Sequence, residues 1–267
     1  MYKPDKYNHQ RNTDAVRAKK HLGQHFLNDL NIAQQIADAL PVAASDSVLE
    51  IGPGMGVLTQ FLIKKDIKLF VIEIDRESVM YLKKNFDISV LTIIEGDFLN
   101  LQINALIKTP FSIIGNFPYN ISSQILFKVL EYRNQVTSLV GMFQYEVARR
   151  ISSGHGSKDY GILSVLIQTF YNTEYLFTVN ENVFTPPPKV KSGVIRLTIK
   201  QEVELPFSEK HFFDVVKTAF NQRRKMLRNG LQKFSAHPNF NSMPFLDKRV
   251  EQLSVEQFFE MADRLKP

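Results

Sequence analysis

An amide and a phenol ring flank a proline at the end of an apolar run, in "IIGNFPYN" at residues 113–120. The amide oxygen of Asn116 accepts hydrogen bonds and stays neutral while doing so. Pro118 restricts the backbone of the turn, and Tyr119 offers a ring on which a flat base can stack. These residue types, in this order, are suited to holding the amino group of a nucleic-acid base.

Such an amino group is a poor nucleophile because its lone pair is delocalised into the ring. Two acceptors that hold both N–H groups favour a pyramidal nitrogen whose lone pair can attack. The side-chain oxygen of Asn116 and the backbone carbonyl of Phe117 are the candidates for these acceptors. If the electrophile is a cationic methyl donor, no strong general base is required, because orientation and electrostatics supply most of the acceleration.

A glycine-rich turn, "LEIGPGMG" at residues 49–56, follows an earlier apolar run. Gly52 and Gly54 let the backbone turn tightly and let a ligand approach a helix N-terminus. The spacing is GxGxG, whereas the dinucleotide form GxGxxG would need glycine where Val57 stands. The turn alone is weak support for a nucleotide-like ligand.

The ends of the neighbouring apolar runs strengthen that interpretation. Glu73 and Asp97 end the next two runs, and Asn116 ends the run after them. The carboxyl ends of parallel strands meet in the crevice where open α/β sheets bind ligands, and an acid there can hold ribose hydroxyls. Helix capping would explain each acid singly, but a nucleoside site explains the set.

These residues require a sheet that brings the strand ends together. Apolar runs at 47–52, 68–75, 90–97, 111–116 and 136–144 alternate with helical patterns at 57–65, 76–86, 123–132 and 145–152. Continuous apolar strands are typical of a sheet covered on both faces, so the sequence predicts a doubly wound α/β fold. Another helix is predicted at 29–40, capped by Asp29.

The C-terminal part has a different pattern. After a loop at 152–159, a helix is predicted at 160–170 and strand segments at 173–179 and 192–200. Only helices follow, at 208–231 and 255–265. We therefore predict a basic, flexible arm over 1–20, an α/β domain over 21–200 and a small helical domain over 201–267.

Composition limits the function classes. The 267 residues include no cysteine, which excludes disulfides and thiolate metal sites, and no metal-ligand pattern is present. No apolar stretch could span a bilayer and the polar start is no signal peptide, so a cytoplasmic protein is expected. The net charge of +6 and a pI near 9.3 favour a polyanionic partner.

Two clusters carry the basic charge. One is in the arm, and the other is in "FNQRRKMLRNG", with Phe220, Leu227 and Leu231 on an apolar face. A solvated helix face is the alternative interpretation of such a run, but contacts to RNA phosphates are favoured here. The residues expected to make them are Arg223, Arg224, Lys225 and Arg228.

Segments in a fixed order from about residue 20 to about 230 resemble the KsgA/RsmA family of small-subunit ribosomal RNA adenine dimethyltransferases, which is related to the Erm enzymes. They are "HLGQHFLND", "LEIGPGMG", "VIEID", "GDFL", "GNFPYNISS", "KDYGILSV", "VFTPPPKVKSGVIRL" and "FNQRRKMLRN". The resemblance implies a Rossmann-like fold, S-adenosylmethionine as methyl donor, and dimethylation of the N6 groups of two adjacent adenines near the 3′ end of 16S rRNA. The implied partner is the immature small ribosomal subunit. The sequence gives no sign of an obligate protein partner, and a monomer is expected.

The resemblance also assigns cofactor contacts. The "GQHFL" segment would close over the cofactor through His25 and Leu27. The remaining assignments place Gly52 and Gly54 at the methionine part, Glu73 at the ribose, Asp97 at the adenine amino group, and Asn116 between cofactor and substrate.

The same resemblance assigns the catalytic loop. Asn116 and the Phe117 carbonyl would grip the amino group, Pro118 would shape the loop, and Tyr119 and Phe184 would sandwich the target base. The commonest family motif has leucine at the position of Phe117, which puts the packing of the loop in question but leaves the carbonyl in place.

Two alternatives stay open from the sequence. One is an Erm-type enzyme acting on large-subunit RNA. The other is a catalytically idle assembly factor that keeps the fold for RNA binding, although such a protein should have lost the glycine turn or the Asn-Phe-Pro-Tyr loop, and both are intact.

Overall fold

The computed structural model describes residues 16–201 and 203–267 and contains a seven-stranded sheet. Most of the predicted N-terminal arm, residues 1–15, lies outside the described residues. The strands are β1 Phe26–Leu27, β2 Ser47–Ile51, β3 Lys68–Glu73, β4 Leu91–Glu95, β5 Phe111–Asn116, β6 Val136–Gln144, β7 Tyr171–Val179, β8 Phe184–Thr185 and β9 Ser192–Ile199.

Five strands of this sheet are parallel, β4, β3, β2, β5 and β6, and β9 and β7 pair antiparallel at the other edge. The chain adds β3 and β4 on one side of β2, then returns to add β5 and β6 on the other. The strand order therefore reverses at β2, which is the position where such sheets bind ligands. The predicted doubly wound α/β fold is confirmed.

Helices cover both faces of the sheet and continue past its last strand. They are α1 Leu30–Ala39, α2 Thr59–Leu62, α3 Arg76–Asn85, α4 Ile103–Leu106, α5 Ser122–Glu131, α6 Tyr145–Ser152, α7 Ile162–Phe170, α8 Glu209–Phe220, α9 Leu227–Gly230 and α10 Val255–Arg264. Asp29 caps α1 as predicted, since its Oδ1 accepts hydrogen bonds from the amides of Asn31 and Ile32. Across 16–201 and 203–267, no helix has the length and apolar character needed to cross a membrane.

The C-terminal helices share the core of the sheet. Phe212 of α8 and Phe258 of α10 are buried in the same apolar cluster as Phe170 of α7. Arg133 reinforces this contact, because its guanidinium pairs with Glu209 and lies 4.6 Å from the centre of the Phe170 ring. The helical segment is therefore packed on the α/β part through a common core.

The predicted length of one C-terminal helix was wrong. The pattern at 208–231 predicted a single helix, but α8 ends at Phe220 and only a short turn of helix, α9, follows. Between them Met226 forms a bridge with Arg249, and the amide of Leu227 donates to the carbonyl of Lys248. Residues 221–225 thus form a turn with local bonds, such as that from the amide of Lys225 to the carbonyl of Gln222, and the tertiary bonds follow this turn.

The ring of Phe117 packs beneath the loop that follows β5, where two glycines make room for it. The side chain is 1% exposed and lies 4.9 Å, centre to centre, from the ring of Phe143. A Cβ on Gly141 would lie 2.1 Å from the ring, and one on Gly115 would lie 2.6 Å from it. Phenylalanine, which is larger than the leucine of the commonest family motif, therefore fits at position 117 because Gly115 of β5 and Gly141 of β6 have no side chains.

The packing of Phe117 predicts that a smaller residue at this position will rescue an overpacked variant. Gly141→Ala should destabilise the protein by about 1–3 kcal/mol, because the added methyl group overpacks the ring. Adding Phe117→Leu should restore part of the loss in thermal unfolding, since the shorter side chain frees the space. Gly115→Ala is the matched control: its methyl would also meet the backbone oxygen of Ile51 at 2.7 Å, so leucine should not rescue it. Equal rescue of both variants would contradict this packing.

Candidate functional site

A cavity of about 370 Å³ lies at the carboxyl ends of β2, β3, β4 and β5. Its volume is within the range of about 300–1,000 Å³ that is usual for small-molecule sites. Most of the predicted cofactor and catalytic residues line it: His25, Leu27, Gly52, Gly54, Glu73, Asp97, Asn116, Phe117, Pro118 and Tyr119.

The glycine turn forms the floor of this cavity. Gly52 has φ +66° and Gly54 has φ +56°, a left-handed conformation that favours glycine. A Cβ on Gly52 would meet no atom within 4 Å, so the space above it is open to a ligand. A Cβ on Gly54 would lie 2.9 Å from the ring of Phe26, so this glycine lets the N-terminal segment lie close over the turn.

Glu73 ends β3 as a buried carboxylate that is held by the backbone. Its Oε2 accepts a hydrogen bond from the amide of Gly54 (3.0 Å), and its Oε1 accepts one from the amide of Asp75 (2.8 Å). Burial raises the pKa of Glu73, and these amide bonds oppose the rise. Each carboxylate oxygen retains acceptor capacity, so the pair can still receive hydroxyl donors from a ribose.

Asp97 lies in the loop after β4 and is fixed by its own neighbours. Oδ1 accepts from the amide of Leu99 (2.9 Å), and Oδ2 accepts from the side-chain amide of Asn100 (2.7 Å). The carboxylate is half-buried on the cavity wall, where it can accept from an amino group of a bound base.

The side chain of Asn116 has a defined orientation. Its Nδ2 donates a 2.9 Å hydrogen bond to the backbone carbonyl of His25. A carbonyl can only accept, so the nitrogen must face His25 and Oδ1 is left for another donor. Within 16–201 and 203–267, no group donates to Asn116 Oδ1 or to the Phe117 carbonyl. The site therefore presents the two acceptors that the sequence predicted.

Tyr119 is anchored at its hydroxyl group. The hydroxyl is 2.5 Å from Oγ of Ser192, a fully buried residue at the start of β9. Burial raises the pKa of Tyr119, so the phenol stays neutral. The ring of His25 stacks on that of Tyr119 with 5.5 Å between centres, and His25 Nδ1 lies 2.7 Å from the carbonyl of Pro186.

The segment at 19–28, which we name the strap, runs over the cavity from the N-terminal side. Lys19 Nζ pairs with the buried carboxylate of Asp75 and lies 3.1 Å from Glu77. Gln24 also donates to Asp75, at 3.4 Å. The predicted flexible arm over 1–20 therefore does not extend to its last residues, because Lys19 is tied to the start of α3.

Phe184 is not brought into the cavity. Its side chain is 3% exposed and lies in the apolar cluster beneath the strap, where β8 pairs with β1 and Phe184 lies opposite Leu27. The predicted sandwich of a base between Phe184 and Tyr119 is therefore not formed in this structure, because pairing with the strap buries the ring in the core.

Glu50 was missed by the sequence reasoning, which treated it as part of an apolar strand. It is 1% exposed, lines the cavity and accepts a 2.7 Å hydrogen bond from the hydroxyl of Thr59. Burial raises its pKa to about 8, so it is neutral near pH 7. A charged residue type inside a β-strand that is otherwise apolar was the available signal.

Three of the four predicted RNA-binding residues lie on the turn between α8 and α9 and the fourth, Arg228, lies in α9, but they differ in their partners. Arg223 donates to the backbone carbonyl of Lys158, and Arg228 pairs with Asp247 at 2.6 Å. Arg224 and Lys225 are exposed. The bond to a neutral carbonyl leaves the positive charge of Arg223 in place, and Arg224 and Lys225 add exposed positive charge beside it.

A family profile described as ribosomal RNA adenine dimethylase matches residues 15–266. The chain is 57% identical over 254 residues to the ribosomal RNA small subunit methyltransferase A of Flavobacterium johnsoniae, covering 95% of this chain and 97% of that protein. The chain belongs to the ribosomal RNA adenine dimethylase family. It is accordingly an S-adenosylmethionine-dependent methyltransferase.

Solved structures agree on the fold. A dimethyladenosine transferase from Plasmodium falciparum superposes with a TM-score of 0.78 at 25% identity, covering 89% of this chain and 96% of that one. The 23S rRNA methyltransferase ErmE superposes with a TM-score of 0.68 at 23% identity, covering 90% and 99%. The ErmE likeness concerns the fold alone.

The residues of the dimethylase site fit the family's cofactor. The open space above Gly52, the buried carboxylate of Glu73 and the half-buried carboxylate of Asp97 follow one another along the cavity in the order of β2, β3 and β4. A donor with an amino acid part, a ribose and a purine needs such a succession of an open backbone turn and two acceptors.

The hydrogen bond between Tyr119 and Ser192 predicts a non-additive pair of substitutions. Tyr119→Phe keeps the ring but removes the bond, and Ser192→Ala removes its partner. Each should lower kcat/KM for RNA by about fivefold to tenfold, the usual worth of one such bond, and the double variant should lose no more than either single one. Tyr175→Phe is the control, because the hydroxyl of Tyr175 lies 2.7 Å from that of Thr178 and away from the cavity. Losses that multiply would contradict the positioning of the ring by Ser192.

Glu50 predicts a pH dependence of stability. The folded pKa of about 8 lies above the unfolded value of about 4.3, so between them only the folded protein keeps the proton. The contribution of Glu50 to the free energy of unfolding therefore falls as pH rises through this window, by at most about 1.4 kcal/mol per pH unit. Above the window this contribution is constant. Glu50→Gln should become increasingly stable relative to wild type up to pH 8 in thermal unfolding. A difference that is the same at every pH would exclude this shift.

Proposed function

We propose that this protein dimethylates the N6 amino groups of two adjacent adenines near the 3′ end of 16S rRNA in the immature small ribosomal subunit. The orientation of the Asn116 amide by the His25 carbonyl carries the proposal, because it leaves two acceptors at the mouth of a cofactor-sized cavity. The curated relative that is 57% identical is named for the small subunit, which favours this RNA over the large-subunit alternative.

In the proposed reaction, Asn116 Oδ1 and the Phe117 carbonyl accept hydrogen bonds from the two N–H groups of the target adenine. This pairing draws the nitrogen towards a pyramidal geometry and frees its lone pair. Bound S-adenosylmethionine supplies an already activated cationic methyl group. The chain therefore acts by orientation and electrostatics. Each transfer leaves S-adenosylhomocysteine, and the methylated nitrogen releases one proton to solvent. After the first transfer the nitrogen keeps one N–H, so one of the two acceptors can still orient it.

Tyr119 supplies the stacking face for the extruded base, and its anchored hydroxyl limits the rotation of the ring. The ring of His25 faces Tyr119 at 5.5 Å, so we propose that His25 moves aside or shares the stack when the base enters. Glu73 and Asp97 hold the ribose and the adenine of the cofactor, Gly52 and Gly54 admit its methionine part, and His25 and Leu27 of the strap cover it.

RNA binding is assigned to the helical residues 201–267, through Arg223, Arg224, Lys225 and Arg228. The exposed pair Arg224 and Lys225 supports this assignment, since phosphate contacts need accessible cations. Arg223 and Arg228 would act partly by holding the turn in place. We propose a monomeric enzyme that acts in the cytoplasm, where small subunits of bacteria assemble.

Two variants with opposite effects test the proposal. Asn116→Ala should lower methyl transfer to undermethylated small subunits by about 10²–10³-fold, because it removes an acceptor that acts on the reacting nitrogen. Its dissociation constant for S-adenosylhomocysteine, measured by calorimetry, should stay within about tenfold of wild type. Glu73→Gln should show the reverse pattern, with weakened cofactor binding and a smaller loss of rate at saturating cofactor.

Protein-free 23S rRNA serves as the second substrate in the same assay. Preferential methylation of small subunits supports the proposal, and preferential methylation of 23S rRNA would instead establish an Erm-type activity. Asn116→Ala with unchanged methyl transfer would refute the assigned role of the amide.

A further inference from the structure

Lys128 of α5 is a buried cation outside the residues assigned so far. It is 8% exposed, and lysine is rarely buried to this degree unless it is paired. Its ammonium group donates to the backbone carbonyls of Leu99 (2.8 Å) and Leu101 (2.7 Å). It also lies 5.3 Å from the centre of the Phe98 ring and 5.8 Å from that of Tyr132.

These partners belong to the wall of the cavity. Asp97, Phe98 and Leu99 all line it, and the loop that contains them is the one that follows β4. The bonds of Asp97 to the amide of Leu99 and to the side chain of Asn100 are internal to this loop. Lys128 ties the loop to α5 through two further hydrogen bonds.

Burying the ammonium group of Lys128 costs desolvation free energy, which its hydrogen bonds must offset. Burial lowers the pKa of Lys128, and the nearby carboxylates of Glu131 and Asp97 oppose the shift. An apolar side chain of the same length would avoid the desolvation but would leave two part-buried carbonyls without this donor. The two hydrogen bonds from the lysine thus stabilise the conformation of the loop that is seen here.

The position of Lys128 also links the two halves of the site. Helix α5 begins at Ser122, directly after the loop that contains Asn116 and Tyr119. The first residue of α5 therefore adjoins the segment proposed to hold the substrate, and its seventh residue, Lys128, bonds to the loop that contains Asp97. A displacement of the loop would move Asp97 relative to both the cofactor and the catalytic amide.

We propose that Lys128 is a positioning residue for recognition of the cofactor's adenine amino group. It fixes the loop at 97–101 through two backbone carbonyls so that the carboxylate of Asp97 can accept from that amino group. This inference rests on the proposed function, in which Asp97 faces the adenine.

Two ligands separate this role from a general effect on folding. S-adenosylhomocysteine carries the adenine amino group, whereas S-inosylhomocysteine has a carbonyl oxygen in its place. Calorimetry on the full chain should show that wild type binds the first about tenfold more tightly, the worth of one charge-assisted hydrogen bond. In Lys128→Met the affinity for S-adenosylhomocysteine should fall about tenfold while that for S-inosylhomocysteine changes less than about twofold, so that the preference disappears.

Conservative variants complete the test. Lys128→Arg should restore most of the preference, since its guanidinium can donate to both carbonyls, and Lys108→Met on the exposed surface should behave as wild type. If Lys128→Met does not fold at the assay temperature, Lys128→Gln replaces it; its amide can reach at most one carbonyl, and an intermediate preference is expected.

The possible failures are distinguishable. Equal affinity of wild type for both ligands would refute the assignment of Asp97, and with it this inference. A wild-type preference that is retained in full by Lys128→Met or Lys128→Gln would overturn the inference alone. Equal weakening of both ligands would likewise overturn it, because that pattern indicates a general structural role.

Discussion

The hydrogen bond from Asn116 Nδ2 to the carbonyl oxygen of His25 fixes which end of the amide the cavity receives. An amide presents a donor at one end and an acceptor at the other, and rotation by half a turn would replace the acceptor with a donor. Because the carbonyl can only accept, this rotation would bring two acceptors together and lose a hydrogen bond. The chemistry of an asparagine at the end of β5 therefore depends on a backbone atom about ninety residues earlier in the chain.

That backbone atom is held in turn by the course of the strap. Lys19 fixes the start of the strap on Asp75, whose amide also binds Glu73, so the covering segment and the proposed ribose carboxylate share one network. The ring of Phe26 can lie over the turn only because Gly54 has no side chain. The glycine turn, the carboxylate of Glu73 and the amide of Asn116 are thus linked to the strap through a few short contacts.

The parallel sheet and its strand ends could be predicted from the sequence, because continuous apolar runs that end in Gly52, Glu73, Asp97 and Asn116 leave few other arrangements. The burial of Phe184 could not, since it results from a pairing of two-residue strands that have no periodicity to detect. Features of this kind depend on tertiary contacts that no local pattern encodes.

Other differences have the same origin. The helix predicted across residues 208–231 is interrupted after Phe220, and the backbone that follows the interruption bonds to Lys248 and Arg249. No sequence pattern distinguishes Lys128, and only the three-dimensional arrangement reveals the carbonyls to which it donates. Propensity identified the elements, whereas partners distant in sequence decided their ends and their buried charges.

A crystal structure of the protein with S-adenosylhomocysteine and adenosine would test the central claim most directly, through the distance between the adenosine N6 atom and Asn116 Oδ1. The orientation of the amide predicts a separation of about 2.7–3.2 Å, with Nδ2 still bonded to the carbonyl of His25. An adenosine bound with N6 out of reach of Oδ1, or an Asn116 side chain turned away from His25, would contradict it.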